Sequence, residues 1–248
     1  MLKKNISKIE KINTTCIKTK KDLFKFGIPN KKITVTPLSV DTEIFKYPNK
    51  KEKKELRKKF LIPNNKFVIG SFVKDGIGFG KGIKPKKLKN PQMLIKAING
   101  FKKKNELFVI LSGPARGYVK KKLKDMKIDF IHKNCLNQRE LSELYRLVDV
   151  TIINSNIEGG PYSLLESLAS GVPVLSTKVG MSIEVIKNGL NGYLININDH
   201  INLNKKLFYL FKNKRKLKEM KKNCIKSIKK FSINSVGKTY LKKFYNLI

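Results

Sequence analysis

The chain has 248 residues, and 55 Lys and Arg against 18 Asp and Glu give it a formal net charge of +37. Its hydrophobic content of 40% is enough for the core of one large or two small domains, which argues against a disordered chain. No run approaches the ~18 apolar residues of a membrane-spanning helix, and residues 1–5 lack the apolar continuation of a secretory signal. We therefore expect a globular cytoplasmic protein.

The cysteines and histidines predict neither disulfides nor a metal centre. Cys16, Cys135 and Cys224 are odd in number and far apart, which is typical of reduced thiols. Only two histidines, His132 and His200, are present, and no Cys/His cluster exists from which a zinc site could form.

The positive charge comes almost entirely from lysine, which supplies fifty of the 55 basic residues. Neutralising phosphates releases counterions and raises affinity for any polyanion, but specific phosphate and base contacts favour arginine. The chain is also rich in Asn and Ile, as AT-rich coding sequence favours. We interpret the charge as mostly compositional, with weak attraction to anionic lipid or nucleic acid, and predict no specific nucleic-acid partner.

Short β-branched apolar runs alternate with amphipathic stretches along the chain. The predicted strands cover residues 14–18, 33–36, 67–73, 107–111, 128–132, 150–154, 172–176 and 192–195. The predicted helices cover residues 51–60, 91–104, 118–126, 139–148, 162–170 and 183–187, and the chain is helical from 203 onward with a break at 231–232. This alternation predicts an α/β fold, a parallel sheet with helices on both faces.

The beginning of the chain departs from that pattern. A lysine-rich stretch at 47–54 that contains Pro48 is typical of a linker into a new unit. The residues before it have room for barely one strand and one helix, which is too few for a sheet of their own.

The strongest chemical signal lies in residues 155–174. A strand that ends at Asn154 is followed by a Gly-Gly-Pro turn and a helix, so amide N–H groups point out of a helix N-terminus at the carboxyl edge of the sheet. These amides belong to Gly159, Gly160, Tyr162 and Ser163. Such a position is suited to an anion and lies where ligands bind to open α/β sheets.

Two carboxylates flank this position. Glu158 and Glu166 would repel a lone phosphate, so a ligand that has both a pyrophosphate and sugar hydroxyl groups resolves the conflict. The Ser163-Leu-Leu-Glu166 segment also fits a capping box, in which Glu166 only satisfies a backbone amide, and the turn also fits a plain loop. The pairing of Glu158 with Glu166 in one strand–turn–helix unit favours the ligand site.

Together these residues resemble a known family. Glu158 and Glu166 form an E-x7-E motif, and residues 169–177 and 188–195 are similar to the rest of the donor-binding half of family-4 (group 1) glycosyltransferases. The resemblance runs from about residue 14 to the C-terminus. It implies the GT-B fold, in which two Rossmann-like domains face each other across the active site. It also implies a retaining enzyme that uses a nucleotide-diphosphate sugar, without metal or other cofactor, in cell-envelope polysaccharide synthesis.

The resemblance implies residue roles as well. Glu158 is the expected catalytic residue, which contacts the sugar hydroxyls and stabilises an oxocarbenium-like transition state, while Glu166 binds the ribose hydroxyls. Lys74 and Lys89 flank a glycine-rich segment similar to the family's phosphate-binding basic pair. They would hold the diphosphate together with the amides of 159–163. Glycine lets backbone and ammonium groups converge on a dianion, although in so lysine-rich a chain a single Lys is otherwise a surface residue.

Structural or binding roles are also predicted for three further residues. Gly113 lies in a segment, 111–119, that also resembles the family, where glycine permits close approach to the ligand. Arg116 in the same segment fits that site or a solvated helix start. We expect His132, at the end of a strand, to be structural.

Residues 39–45 resemble the interdomain crossing of the family, and the resemblance implies that most of the acceptor-binding domain that should precede them is missing. We therefore predict a remnant of that domain with the crossing at 1–45, the nucleotide-sugar-binding domain at 46–230, and at 231–248 a helix that would pack on the missing domain. The apolar surface left exposed would bind a separate chain. A carbohydrate or lipid-linked acceptor is the other expected partner, with peripheral contact of the basic segment 205–230 at the inner membrane surface.

Two other classes of function compete with this interpretation. The first is a non-catalytic or split module that binds the sugar nucleotide and needs a partner chain for the acceptor. The second is a basic nucleic-acid-binding protein, but the sequence has neither a recognition-helix motif nor an RNA-binding aromatic signature.

Overall fold

The computed structural model describes residues 3–78 and 80–245. Its N-terminal part is a small βαβ unit, in which β1 (Ile12–Thr14) and β2 (Ile33–Val35) pair in parallel and α1 (Ile17–Lys25) connects them. The predicted strand at 14–18 is wrong at its C-terminal end, because Cys16 caps a helix by accepting a hydrogen bond from the Thr19 amide at 3.5 Å. The expectation of barely one strand and one helix is also wrong, since two strands and a helix fit before residue 36.

The main sheet has six strands, all parallel, in the order β5-β4-β3-β6-β7-β8. Their bounds are Phe67–Phe72 (β3), Leu107–Ser112 (β4), Asp129–Lys133 (β5), Val150–Ile153 (β6), Val174–Thr177 (β7) and Gly192–Ile195 (β8). The central strands are apolar without alternation because helices cover both faces of the sheet. The predicted α/β class is confirmed.

The remaining helices follow the strands. They are Lys50–Lys59 (α2), Pro91–Asn99 (α3), Gly117–Asp125 (α4), Gln138–Leu147 (α5), Tyr162–Ala169 (α6), Ser182–Val185 (α7), His200–Lys212 (α8), Lys214–Ile228 (α9) and Ile233–Tyr245 (α10). The predicted helix at 91–104 ends five residues early, because the chain leaves the helix at Gly100. Within the described ranges, no helix has the length and apolar character needed to cross a membrane.

Two layers of buried side chains hold the sheet. On one side, Leu94 of α3 and Leu207 of α8 pack against the strands, and both are completely buried. On the other side, Leu165 of α6 and Cys224 of α9 pack together, and Phe45, from the segment that precedes the sheet, joins them. The N-terminal part of the chain therefore shares a core with the main sheet.

The strand order reverses direction between β3 and β6. At such a switch point the crossover connections diverge, and they leave a crevice outside the carboxyl ends of the strands. The loops after β3 and β6 are the two segments from which the sequence predicted the ligand site.

The C-terminal helix returns to the N-terminal part of the chain. The backbone N–H of Val40 donates to the Phe231 carbonyl at 2.9 Å, and Ile233 donates back to Val40 at 3.2 Å. Farther along α10, the Lys243 ammonium donates to the carbonyl of Val35 in β2 at 2.6 Å. Apolar side chains of α1, α10 and the residues beside them are exposed, namely Ile17, Phe24, Phe26, Ile233, Tyr240 and Leu241. Residues 246–248 of the predicted C-terminal helix lie outside the described residues.

Candidate functional site

A cavity of about 730 Å³ lies at the carboxyl edge of the main sheet, between the loop after β3 and the start of α6. Seven of the eight predicted site residues line it: Lys74, Lys89, Glu158, Gly160, Tyr162, Ser163 and Glu166. The eighth, Gly159, does not. Its carbonyl instead accepts a hydrogen bond from the Met181 amide at 2.8 Å, which fixes the turn against the loop after β7.

The turn before α6 presents backbone amides to this cavity. The helix begins after Pro161, and no side chain caps its N-terminus. Its first turn also contains no acidic residue. Uncapped amides at a helix N-terminus carry partial positive charge, so this end of α6 favours an anion in the cavity.

Glu158 is held at the edge of the cavity by two neighbours. It forms an ion pair with the Lys89 ammonium, and the Ser155 hydroxyl donates to the same oxygen at 2.8 Å. The two charged side chains are only 14% and 23% exposed. The pair therefore largely neutralises the Glu158 carboxylate, which by itself would repel a phosphate.

The Lys89 loop is attached to the end of β6. The side-chain amide of Asn154 donates to the carbonyls of Lys89 and Asn90, at 2.7 and 2.9 Å. Asn90 adopts a left-handed conformation and caps α3, and its own side chain bonds to Asn156 at 2.9 Å. These bonds bring Lys89 and Glu158 together although they are 69 positions apart in the sequence.

Glu166 accepts a hydrogen bond from the Tyr145 hydroxyl at 2.9 Å. The capping-box alternative is wrong, because the helix begins after Pro161 and Ser163 is already its second residue. Burial raises the pKa of Glu166, and the bond from Tyr145 opposes that rise. Burial, followed by the charge of Glu166, raises the pKa of Tyr145 well above its ordinary value, so the tyrosine remains a hydrogen-bond donor.

Lys74 follows β3 and lines the cavity beside a buried ion pair. Asp75 and Arg116 lie 3.1 Å apart with side chains at most 1% exposed. Arg116 also donates to the Ser71 carbonyl at 2.7 Å and to the Ser112 carbonyl at 2.9 Å. The alternative of a solvated Arg116 is therefore wrong. The side chain instead ties the glycine-rich loop to β3 and β4.

Gly113 has a φ of +99° and lines the cavity. A Cβ at this position would lie 2.9 Å from the Val73 carbonyl, so the glycine allows two chain segments to approach each other beside the ligand space. The ring Nε2 of His132 lies 2.8 Å from the Gly113 carbonyl, which agrees with the expected structural role.

One wall of the cavity was not predicted from the sequence. The loop between β5 and α5 contributes Asn134, Cys135, Leu136 and Asn137, and α5 contributes its first residue, Gln138. This loop has no chemical motif. Its place follows only from the position of β5 at the sheet edge beside β4, which brings its carboxyl end to the same side.

The described part of the chain holds no group of three or more His, Cys, Asp and Glu side chains that could bind a metal ion. The positive groups that face the cavity are lysines and the N-terminus of α6.

Residues 83–230, more than half of the chain, match the family model described as "Glycosyl transferases group 1". The chain belongs to this family, which confirms the resemblance found in the sequence.

Individual relatives agree. The chain is 31% identical over 161 residues to an α-1,4-N-acetyl-D-galactosaminyltransferase of Campylobacter jejuni. By its name, that enzyme acts on an undecaprenol-linked saccharide. The match covers 62% of this chain and 44% of the relative, so the chain spans less than half of that protein's length.

Solved structures show the same fold. Anabaena Alr3699/HepE in complex with UDP-glucose superimposes with a TM-score of 0.81 at 17% identity, covering 96% of this chain and 64% of that one. The C-terminal domain of a group 1 glycosyl transferase from Francisella tularensis gives a TM-score of 0.62 at 25% identity, covering 78% of this chain and 99% of that domain. The expected likeness to the C-terminal domain of a group 1 glycosyltransferase with the GT-B fold is confirmed.

Proposed function

We propose that this chain supplies the donor site of a retaining glycosyltransferase and binds a nucleotide-diphosphate sugar in the cavity at the start of α6. The proposal is carried by one observation: a single cavity brings together two lysines, two glutamates and an uncapped helix N-terminus. Membership of the family supports it, as does the UDP-glucose bound by the Anabaena protein.

The charges of the site are suited to such a ligand. The diphosphate would lie against the amides of Gly160, Tyr162 and Ser163, with Lys74 beside it. Lys89 would exchange its contact with Glu158 for the diphosphate, because a dianion attracts an ammonium more strongly than a single carboxylate does. No metal is required in this proposal, since lysines and amides supply the positive charge.

The two glutamates would then contact carbohydrate. Glu166 would accept hydrogen bonds from the ribose hydroxyls, and Glu158, released from Lys89, would contact the hydroxyls of the transferred sugar. As the bond between the sugar and the diphosphate lengthens, negative charge develops on the diphosphate and positive charge on the sugar ring. Preorganised amides and Lys74 stabilise the negative charge on the diphosphate, and Glu158 stabilises the positive charge on the sugar ring.

The acceptor in this proposal is a carbohydrate or a lipid-linked saccharide. A separate chain would cover the exposed apolar side chains of α1 and α10 and supply the acceptor site. The alternative function, a split binding module, requires the same partner chain. We place the reaction in the cytoplasm, in keeping with three cysteines that are all free thiols.

Isothermal titration of the chain with UDP-, GDP- and ADP-sugars tests the donor site. At least one should bind with millimolar or better affinity, and Glu166→Ala should weaken that binding about tenfold, as expected for lost hydrogen bonds to buried hydroxyls. Glu143→Ala is the matched control, because Glu143 faces Lys59 outside the cavity. Absence of binding to all three nucleotide sugars would contradict the proposal.

Turnover separates the catalytic from the binding-module version. With an acceptor and, where needed, a partner chain, Glu158→Ala should reduce kcat far more than it reduces the free energy of unfolding. Donor binding without transfer under these conditions would favour the split module.

A further inference from the structure

A second cavity, of about 820 Å³, lies between the glycine-rich loop and α4. Asn134 lines both this cavity and the donor cavity, so the two are neighbours. The lining of the second cavity includes Ile83 and the lysines Lys81, Lys120, Lys121 and Lys124. No carboxylate is among the described residues that line this cavity, and neither the donor-site chemistry nor the family resemblance assigns it a role.

The loop that forms one wall is fixed by backbone hydrogen bonds. Ile77 donates to the Lys84 carbonyl at 2.9 Å, which closes the loop on itself. Gly117, at the start of α4, donates to the Lys81 carbonyl at 2.8 Å, and the next amide donates to Gly82 at 2.9 Å. A Cβ at Gly82, whose φ is +69°, would overlap the backbone of residue 115. The backbone of the loop is therefore fixed against the start of α4, which places the lysines of both segments around one cavity.

These lysines lack acidic partners. In residues 3–78 and 80–245, no carboxylate lies within 4.0 Å of the ammonium groups of Lys81, Lys84, Lys120, Lys121 and Lys124. The acidic residue of α4, Asp125, faces Lys122 instead, at 3.7 Å. Like charges gathered around one cavity repel each other, and a bound anion would remove that repulsion.

Aliphatic side chains stand beside the lysines. Ile77 and Ile83 on the loop are 51% and 63% exposed, although each is large and apolar. A surface that combines exposed aliphatic groups with lysines is suited to the interface of an anionic bilayer, where the apolar groups enter the headgroup region and the ammonium groups meet phosphates. Contacts to nucleic acid favour exposed arginine, whereas the arginine of this lining, Arg116, is buried against Asp75.

We propose that this basic loop surface, formed by Ile77, Lys81, Ile83, Lys84, Lys120, Lys121 and Lys124, binds the anionic phospholipid headgroups of a membrane. The contact lies beside the donor cavity. It differs from the expectation drawn from composition, which placed membrane contact on the basic segment 205–230. The proposal does not depend on the proposed transferase activity.

Vesicle co-sedimentation without sugar nucleotide tests the proposal at physiological ionic strength. The wild-type chain should partition onto phosphatidylcholine vesicles that contain phosphatidylglycerol and not onto pure phosphatidylcholine. A quadruple variant should partition about tenfold or more weakly, because each lysine near an anionic surface contributes. It carries Lys81→Gln, Lys84→Gln, Lys121→Gln and Lys124→Gln.

The matched control removes the same charge from exposed lysines of α8 and α9, which lie in the basic segment 205–230. It carries Lys205→Gln, Lys214→Gln, Lys218→Gln and Lys222→Gln. It should partition within about twofold of wild type, because these residues lie outside the basic loop surface. A single Ile83→Asn change should weaken partitioning about threefold or more at unchanged charge, because it removes an aliphatic group from the headgroup region.

Four outcomes would overturn the proposal. The first is no preference for anionic vesicles, and the second is equal losses in the two quadruple variants, which would mean that bulk charge alone acts. The third is a loop variant that binds vesicles like wild type but loses affinity for inorganic pyrophosphate, which would assign the cavity to a soluble anion. The fourth is a loop variant that binds vesicles like wild type but loses affinity for a DNA duplex, which would assign the surface to nucleic acid.

Discussion

The hydroxyl group of Tyr145 sets the chemistry of Glu166. Tyr145 is completely buried, and its ring packs against Phe72, with ring centroids 4.0 Å apart, and edge-on against Phe45 at 5.8 Å. The aromatic contacts fix the ring, so the hydroxyl bond to Glu166 is preorganised. A donated hydrogen bond stabilises the ionised carboxylate and opposes the rise in pKa that burial causes.

Tyr145→Phe should shift the pH dependence of sugar-nucleotide binding. Loss of the donated hydrogen bond raises the pKa of Glu166 further. If ionised Glu166 accepts hydrogen bonds from ribose, affinity falls as pH falls through that pKa, and in the variant the fall begins at higher pH. Titration calorimetry from acid to neutral pH measures the midpoint. Tyr193→Phe is the control and should keep the wild-type pH profile, because Tyr193 lies on β8 outside the cavity. An unshifted midpoint in Tyr145→Phe would show that Tyr145 does not act on Glu166.

The sequence predicted which residues meet at the site better than it predicted their partners. Glu158 and Glu166 could be placed in one cavity because a strand, a turn and a helix connect them within a few residues. The ion pair of Glu158 with Lys89 and the bond from Tyr145 could not be predicted, because both partners come from distant segments that only the packed sheet brings close. The burial of Arg116 against Asp75 could not be predicted for the same reason.

At the scale of elements, one buried carboxylate joins two helices to the sheet. Asp149, just before β6, lies 3.0 Å from the ammonium groups of both Lys53 and Lys221, on α2 and α9, and 3.6 Å from the Arg57 guanidinium. Its side chain is 13% exposed. Burial alone would raise the pKa of Asp149, but the charges of Lys221 and Lys53 lower it well below its ordinary range.

Asp149→Ala should lower the free energy of unfolding by about 3–5 kcal/mol, because three cations then lose the one carboxylate that they share. Urea denaturation measures the change. Asp129→Ala is the control, since Asp129 is 58% exposed and its pair with Lys66 should contribute less than about 1 kcal/mol. Equal losses in the two variants would contradict the assigned role.

The same carboxylate predicts acid sensitivity. The pKa of Asp149 is lower in the folded chain than in the unfolded chain, where it is about 4. The contribution of Asp149 to the free energy of unfolding is therefore fully present above the unfolded-state pKa and is lost as the pH falls through the folded-state pKa. Denaturation midpoints measured below pH 4 should therefore fall less steeply for Asp149→Ala than for the wild type. Parallel curves would mean that Asp149 is not stabilised by its neighbours.

Across the whole molecule, the net charge of +37 opposes the compact state. Self-repulsion of unpaired lysines is long-ranged and is screened by salt. The melting temperature should therefore rise by several degrees between low and moderate NaCl concentrations, as scanning calorimetry can show. Sucrose at matched osmolality is the control for non-ionic effects. A melting temperature that falls with added NaCl would contradict a structure limited by repulsion.

The alternation of apolar runs and amphipathic stretches was enough to predict the α/β class, because a parallel sheet covered on both faces requires it. The strand order and the separate two-stranded sheet were not predictable, since pairing between strands is decided by packing rather than by local pattern. The first strand was displaced by four residues at its C-terminal end, because Thr14, Thr15 and Ile17 are all β-branched while Cys16 starts a helix.

A crystal structure of the chain with the nucleotide sugar that it binds most tightly tests the central claim most directly. The account predicts the diphosphate within hydrogen-bond distance of the amides at the start of α6, with Glu166 bonded to the ribose and Glu158 to the transferred sugar. A nucleotide sugar bound outside this cavity, or bound with both glutamates out of hydrogen-bond reach, would contradict it.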